Sequence, residues 1–161
     1  MTVNSGDNDG YESGTGNACA SGSGSAHDNQ SGTSSTPSCS DPGRDRHLFW
    51  NYGAALPSGA TVNGISVRLD AWTNLTTIAA AICVELSWDG GTTWTAAQIA
   101  PLIGTAQATY LLGSASDLWG HAWTPAELAN GALVVRLTNS ATAINGAFDL
   151  DWVAIAITYT P

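Results

Sequence analysis

Apolar and polar residues alternate in short segments from residue 47 to the end of the chain, and this alternation limits the fold more than any other feature. In GISVRLDAW, Ile65, Val67 and Leu69 fall on one side of an extended chain and polar residues on the other. Side chains of a strand point to opposite faces in turn, so this pattern predicts strands with one buried face. Similar segments occur at 81–88, 108–113, 132–140 and 147–159.

The segments between the predicted strands are too short for the crossover helices that parallel strands need. We therefore expect an all-β fold, an antiparallel β-sandwich or jelly roll. One short helix is predicted at 125–130. Thr124 is a suitable N-cap, Pro125 fits the first helical position and Gly131 ends the segment. The last strand is apolar on both faces over residues 153–157, which predicts a central strand covered on both sides.

Tryptophan and other large residues in the strands indicate where the core should lie. In RHLFWNYG, alternation places Leu48, Trp50 and Tyr52 on one face of the first predicted strand. Large aromatic residues of a sandwich are usually mostly buried. We therefore expect Trp50, Trp88 and Trp152 in the core.

Residues 1–46 have a different composition from the rest of the chain. They contain no Leu, Ile, Phe or Trp, and they hold 8 of the 18 glycines. Such a segment buries too little apolar surface to offset its ordering entropy unless something holds it. The chain is therefore predicted to divide into a polar Gly/Ser-rich arm, 1–46, and a β-sandwich domain, 47–161. Contacts with the sandwich, with neighbouring copies, a disulfide or a metal ion could order the arm.

The chain has three cysteines, Cys19, Cys39 and Cys83, without the spacing of a metal site. Cys83 points away from the inward face of its predicted strand, where the arm could lie across it. A Cys39–Cys83 disulfide would then fasten the arm to the sandwich. Cys19–Cys39 is the local alternative, and three free thiols are expected in a reducing compartment.

The charge balance restricts the partners of the protein. Asp and Glu number 13 against four basic residues, for a net charge of −9. This surface repels phosphate backbones and anionic lipids, so nucleic-acid binding and membrane insertion are not expected. The chain has no apolar run long enough to span a membrane, and Met1 is followed by a polar stretch rather than a signal peptide. An extracellular, cell-surface or virion-surface location is predicted.

The stretch SWDGGTTW at 87–94 predicts a hairpin turn. Asp89 can accept hydrogen bonds from turn amides, Gly91 permits positive φ and Trp94 packs over the turn. Together with Ser87 and Thr93, these residues resemble the Asp-box hairpins that repeat in sialidase-type propellers. In those propellers the motif lies away from the active site, so the resemblance implies a structural role.

A wider resemblance covers residues 45–161. The succession of GISVRLDAW, CVELSWDGGTTW, LWGHAWTPAEL and FDLDWVAIAITY is similar to a β-sandwich module of bacterial surface and secreted proteins. The closing LDWVAI also resembles the last strand of galactose-binding-like jelly rolls, which include carbohydrate-binding modules. These resemblances imply a fold and an exposed location, and they carry over no catalytic residue.

Trp119, His121 and Trp123 lie on one side of the extended segment LWGHAW. If exposed, this row would form a platform on which flat sugar faces stack. If buried, it would be ordinary sandwich core, which is the favoured interpretation for the two indoles. Polysaccharide binding is thus the alternative function at these residues.

Four acidic residues are candidate calcium ligands. Asp149 and Asp151 fall on one face of the last predicted strand, and Asp7 and Asp9 belong to DNDG, which resembles the start of a calcium loop. No other cofactor is expected. A hydrolytic pair at Asp149 and Asp151 is a weaker alternative.

Three functions are consistent with these observations. The first is a non-enzymatic display module that assembles with copies of itself, as a surface filament subunit or a virion decoration protein. The second is a carbohydrate-binding module, and the third is a glycosidase. We expect the first, because no catalytic pattern accompanies the sandwich.

Overall fold

The protein is a sandwich of two four-stranded antiparallel β-sheets. The computed structural model describes residues 10–76, 79–100 and 102–161. The strands are β1 (Ala26–Asp28), β2 (Arg46–Trp50), β3 (Thr61–Thr73), β4 (Ala80–Ser87), β5 (Gln98–Ala100), β6 (Ala108–Gly113), β7 (Val134–Ala141) and β8 (Phe148–Thr160). One sheet has the order β1-β8-β3-β6 and the other β2-β7-β4-β5. This architecture confirms the predicted all-β sandwich.

The apolar core lies between the two sheets. Ile65, Val67 and Leu69 of β3 are fully buried, as their alternation predicted. Ile82 and Leu86 of β4 are buried from the opposite sheet. Full burial of a side chain of this size stabilises the fold by about 1.5–3 kcal/mol. These side chains hold the two sheets together, with β3 in one sheet and β4 in the other.

β2 turns the opposite face to the core from the one that was predicted. His47 and Phe49 are buried, whereas Leu48 and Trp50 point outward and are half-buried. Phe49 lies opposite the buried Val135 of β7. Both faces of this strand carry large apolar residues, so alternation alone did not determine its phase. The pairing with β7 determines it.

β8 lies between β1 and β3, so the predicted central strand is confirmed, but residues 153–157 are not covered on both sides as predicted. β1 pairs with Phe148–Leu150, while β3 pairs along the whole strand. Val153 is buried, Ile155 and Ile157 are half-buried and Ala156 is exposed. The sequence run is apolar because its inner side chains face the core, and it has no second neighbouring strand among the described residues.

The predicted helix is a single 3-10 turn, Pro125–Leu128. Thr124 caps it as predicted: its backbone N–H donates to the Glu127 carboxylate at 2.8 Å. Ala129 is already extended, with φ −66° and ψ 161°, and this ends the helix after one turn. A second 3-10 helix, Thr15–Cys19, lies in the N-terminal segment. No helix among the described residues is long and apolar enough to cross a membrane.

The described part of the predicted arm, residues 10–46, is packed onto the sandwich. Its strand β1 adds an edge to β8, and Tyr11, Ala18 and Ala26 are buried in the common core. Ser13 and His27 exchange two backbone hydrogen bonds, of 3.2 and 2.9 Å, so a further short pairing extends this edge. One tyrosine and two alanines give little buried apolar surface for a segment of this length, and polar contacts hold the rest of it.

Arg44 is the largest of these polar contacts, and its side chain is fully buried. Its Nε donates to the carbonyl of Thr36 at 3.0 Å, and its Nη1 donates to the carbonyls of Ser31 and Ala143 at 3.1 and 3.3 Å. Ala143 belongs to the loop between β7 and β8. A buried cation is costly unless it is hydrogen-bonded, and these carbonyls supply its partners. Arg44 thus joins three parts of the chain.

The disulfide that was predicted between Cys39 and Cys83 is present, with Cα atoms 5.7 Å apart. Cys83 is buried on the outer face of β4, as its position in the alternation indicated. Arg46 supports the same crossing, because its Nη2 donates to the carbonyls of Cys39 and Asp41 at 3.2 and 2.6 Å. Cys19 is free and exposed. The polar segment is therefore fastened covalently across the outside of one sheet.

Replacing both bridged cysteines, in the variant Cys39→Ser/Cys83→Ser, should lower the free energy of unfolding substantially. The bridge closes a loop of sequence separation 44, for which the loop-entropy relation gives about 4 kcal/mol. Urea unfolding followed by tryptophan fluorescence measures the loss. Cys19→Ser is the matched control and should change the midpoint little. Equal stability of the double variant and the control would contradict the structural role of the bridge.

Candidate functional site

The SWDGGTTW turn is held by Asp89, as predicted. Its Oδ1 accepts hydrogen bonds from the backbone N–H of Thr93 at 2.7 Å, from that of Thr92 at 3.0 Å and from the Ser87 hydroxyl at 2.9 Å. The Thr93 amide and the other donors lower the pKa of Asp89 to about 2. Gly91 has φ +96°. The carboxylate is engaged within the turn, so this motif is structural.

Trp94, the last residue of the motif, packs over the turn as predicted: a Cβ atom at Gly91 would lie 3.5 Å from the Trp94 ring. The guanidinium of Arg136 lies 4.0 Å from the centre of its ring. Arg136 also forms two hydrogen bonds of 2.7 Å with the Glu85 carboxylate. The ring therefore covers an ion pair on the outer face of the sheet.

The predicted aromatic row at LWGHAW is buried. Trp119 and Trp123 are only 5% and 6% exposed. Their indole N–H groups donate to the carbonyls of Ile65 and Leu118 at 2.9 and 2.8 Å. Both indoles thus belong to the core, the interpretation favoured from sequence, and offer no open face to a sugar.

His121 is also enclosed by protein. Its ring stacks on Trp88, with ring centres 3.9 Å apart and planes 7° from parallel, and its Nε2 lies 3.2 Å from the Glu127 carboxylate. Trp88 is half-buried beneath it. Trp88 packs against the core, as predicted. The core prediction was wrong for Trp50 and Trp152, which are half-buried and lie outside the core cluster. The short strand β2 and the half-open strand β8 leave the last two partly uncovered.

Asp149 and Asp151 bind the polar segment. Asp149 accepts from the Ser25 hydroxyl at 2.9 Å and lies 3.0 Å from His27 Nδ1. Asp151 accepts from the backbone N–H of Gly22 at 3.0 Å and from the Gln107 side chain at 3.0 Å. These carboxylates anchor the segment to β8, and among the described residues they belong to no group of three possible cation ligands. Asp7 and Asp9, the other predicted calcium ligands, lie outside the described residues.

A group of acidic residues that was not predicted lies where the polar segment enters the sandwich. One carboxylate oxygen each of Glu12, Asp28 and Asp45 falls within 4.8 Å of the others, and Asp28 and Asp45 are buried. Asn139 of β7 donates to Asp28 at 2.5 Å, and its own Oδ1 accepts from the Tyr11 hydroxyl at 3.3 Å. These are the acidic residues that could approach one cation in the described part of the chain.

The carboxyl groups of Asp28 and Asp45 lie close together in the interior. Two ionised carboxylates repel each other, so such a pair holds a proton. Burial raises the pKa of Asp28 to about 7, the charge of Glu12 raises it further, and the hydrogen bond from Asn139 acts against the rise. The pair is therefore a proton-holding group in the interior, close to the buried Arg44.

A groove opens between the end of β2 and the edge of β8. Its volume is about 310 Å³. Phe49 and Val153 lie in its lining with Trp50, Tyr52 and Trp152. The Tyr52 hydroxyl is buried and has no hydrogen-bond partner among the described residues. Exposed Cys19 lies at the same groove. Aromatic side chains thus form much of the lining of this groove.

Comparison of the chain with protein-family models, with curated proteins and with solved structures gives no match.

Sequence reasoning missed both the carboxyl pair and the groove. Asp28 and Asp45 are far apart in sequence, and the segment that contains them was predicted to be a separate arm. The face of β2 that carries Phe49 was predicted to point outward, so Phe49 was not expected to line a groove. One signal was available for Asp45. The inward face of β2 continues backwards from Phe49 through His47 to Asp45, which are all buried. An acidic residue in that row indicates a buried carboxyl.

Stability should depend on pH through Asp28. The pKa of Asp28 is 3.8 in the unfolded chain and about 7 in the folded protein. Its contribution to the free energy of unfolding is therefore fully present below about pH 4 and is lost as pH rises through 7. In Asp28→Asn this loss is absent. Urea unfolding at pH 5 and pH 8 should therefore show the stability of the natural protein falling relative to the variant.

The difference in stability between the natural protein and Asp28→Asn does not contain the pH dependence of groups that both proteins share. Burial lowers the pKa of His47 to about 4, so His47 reduces stability as pH falls below 6.5. Both proteins carry this opposite dependence, and it cancels in the difference between them. A difference that does not change between the two pH values would show that Asp28 is ionised in the folded protein.

Proposed function

We propose that the protein is a non-enzymatic structural module that is displayed on an exposed surface, that of a cell or a virion, and associates with copies of itself. The observation that carries this proposal is the fastening of residues 10–46. A polar segment is locked across a sandwich by the Cys39–Cys83 disulfide and by the buried Arg44. This makes a rigid polar surface, as a displayed module requires.

The residues that sequence offered for binding or catalysis support the same proposal. Trp119 and Trp123 are buried in the core, and their indole N–H groups donate hydrogen bonds to backbone carbonyls. Asp149 and Asp151 hold the polar segment by hydrogen bonds. Each side chain thus has a structural task in the module.

The exposed location is supported by the disulfide and by the charge. Disulfides persist in oxidising surroundings, such as the outside of cells and virion surfaces. A net charge of −9 keeps such a surface hydrated and disfavours nucleic acids and anionic membranes as partners. The expected partner is another copy of this chain.

Self-association is supported by apolar residues that remain outside the core. They lie on several strands and loops, and Tyr159 of β8 is one of them. Apolar groups left in water on an acidic surface favour contacts that cover them. The open edge of β8 adds a backbone surface to these side chains.

Carbohydrate binding is the second candidate function, and the groove favours it. Trp50, Tyr52 and Trp152 present partly exposed rings around a concave surface. Flat sugar faces stack on such rings. In this alternative the site is the groove, in place of the buried row at Trp119 and Trp123.

Sedimentation velocity over a wide range of protein concentrations tests the proposed function. The natural protein should sediment as a dimer or larger species as concentration rises, and high salt should favour association because it screens the acidic surface. A monomer at every concentration, with neutral polysaccharide binding that Trp50→Ala removes, would favour the carbohydrate-binding module instead.

A further inference from the structure

β8 has an open edge over its last seven residues, Ala154–Thr160. β3 pairs with one side of these residues. On the other side β1 ends opposite Leu150, and no described residue forms a backbone hydrogen bond there. In a strand that has one neighbour, alternate N–H and C=O groups point outward along the free side. Another strand is the partner that satisfies such a row.

The inner face of the same edge is incompletely covered. Ile155 and Ile157 pack against the core but remain half-buried, because no strand of the described residues lies on that side of them. The groove begins at Ile155 and extends to the buried Tyr52 hydroxyl, which has no partner among the described residues. A strand placed along β8 would cover both isoleucines and bring polar backbone groups to the mouth of the groove.

The charge of the edge indicates which strand fits. The sequence AIAITYT at 154–160 has no charged residue, while the whole chain has a net charge of −9. Two copies repel each other where their acidic surfaces meet, and they can approach along this uncharged edge. Proteins commonly protect open edges with Lys, Pro or a bulge, and these seven residues contain neither Lys nor Pro.

We propose that the open edge of β8 pairs with the same edge of a second copy of this chain, antiparallel and across a two-fold axis. The inference rests on the proposed self-association and names its surface. The two four-stranded sheets become one continuous sheet in the order β6-β3-β8-β8-β3-β6, with β1 of each copy flanking the junction. A two-fold contact is self-complementary, as identical uncharged edges require.

The length of the edge fixes the register. Pairing the whole of Ala154–Thr160 with its counterpart places Ile157 opposite Ile157 and Ala156 opposite Thr158. β1 prevents the partner strand from extending to Leu150. The two isoleucines then cover each other on the inner face, which adds apolar contact to the backbone hydrogen bonds.

Ala156→Lys tests the surface. Ala156 is exposed, so the lysine can be accommodated in the monomer, but the two-fold contact would bring two lysines close together. Sedimentation should show a dissociation constant raised by at least about tenfold. Leu111→Lys is the matched control. Leu111 is 70% exposed on β6, the opposite edge of the same sheet, and its replacement should leave association unchanged.

A cross-link tests the register and does not depend on weakening the contact. In Cys19→Ser/Ile157→Cys, mild oxidation should give a disulfide-linked dimer on a non-reducing gel, because residues facing each other across antiparallel strands have close Cβ atoms. Cys19→Ser/Leu111→Cys should not. Unchanged thermal unfolding of each monomer shows that the variants fold.

The outcomes separate this inference from the proposed function. Association that is equal in the natural protein and in Ala156→Lys overturns the β8 contact and leaves self-association in place. Cross-linking at both cysteine positions, or at neither, also overturns it. A natural protein that stays monomeric overturns both, and polysaccharide binding in the groove of that monomer would assign the groove to sugar.

Discussion

The fold depends on how a segment with few apolar residues is fixed to an apolar sandwich. Residues 10–46 bury Tyr11, Ala18 and Ala26, which is too little to offset the ordering entropy of the segment. The Cys39–Cys83 disulfide supplies further stabilisation because it reduces the entropy of the unfolded chain. The buried Arg44 adds to it through hydrogen bonds to backbone carbonyls. The segment thus becomes part of the sandwich.

The position of this segment also determines which edge is left open. β1 covers the first residues of β8 and ends at Leu150, and Asp149 and Asp151 anchor its neighbours there. Over the rest of β8, next to the aromatic groove, no strand from the described part of the chain pairs with this side. The edge of β8 is therefore closed by β1 over the first residues of the strand and open over the last ones. The packing of the polar segment thus determines where the proposed contact between copies can form.

Much of the fold could be predicted where one face of a strand was clearly more apolar than the other, as in β3 and β4. The same argument placed Cys83 on the outer face and led to its bridge with Cys39. It failed at β2, whose two faces are alike, and at Trp50 and Trp152, whose exposure depends on neighbouring strands. The Asp28–Asp45 pair was missed because long-range pairing, rather than local pattern, brings these carboxyls together.

The central claim is that the polar segment is an integral part of the folded sandwich, and amide hydrogen exchange tests it most directly. The amides of Ser13 and His27 bond to each other's carbonyls, and they should be protected as strongly as amides of β3 such as that of Val67. Exchange at these two positions at the rate of an unstructured chain, while β3 stays protected, would contradict the account.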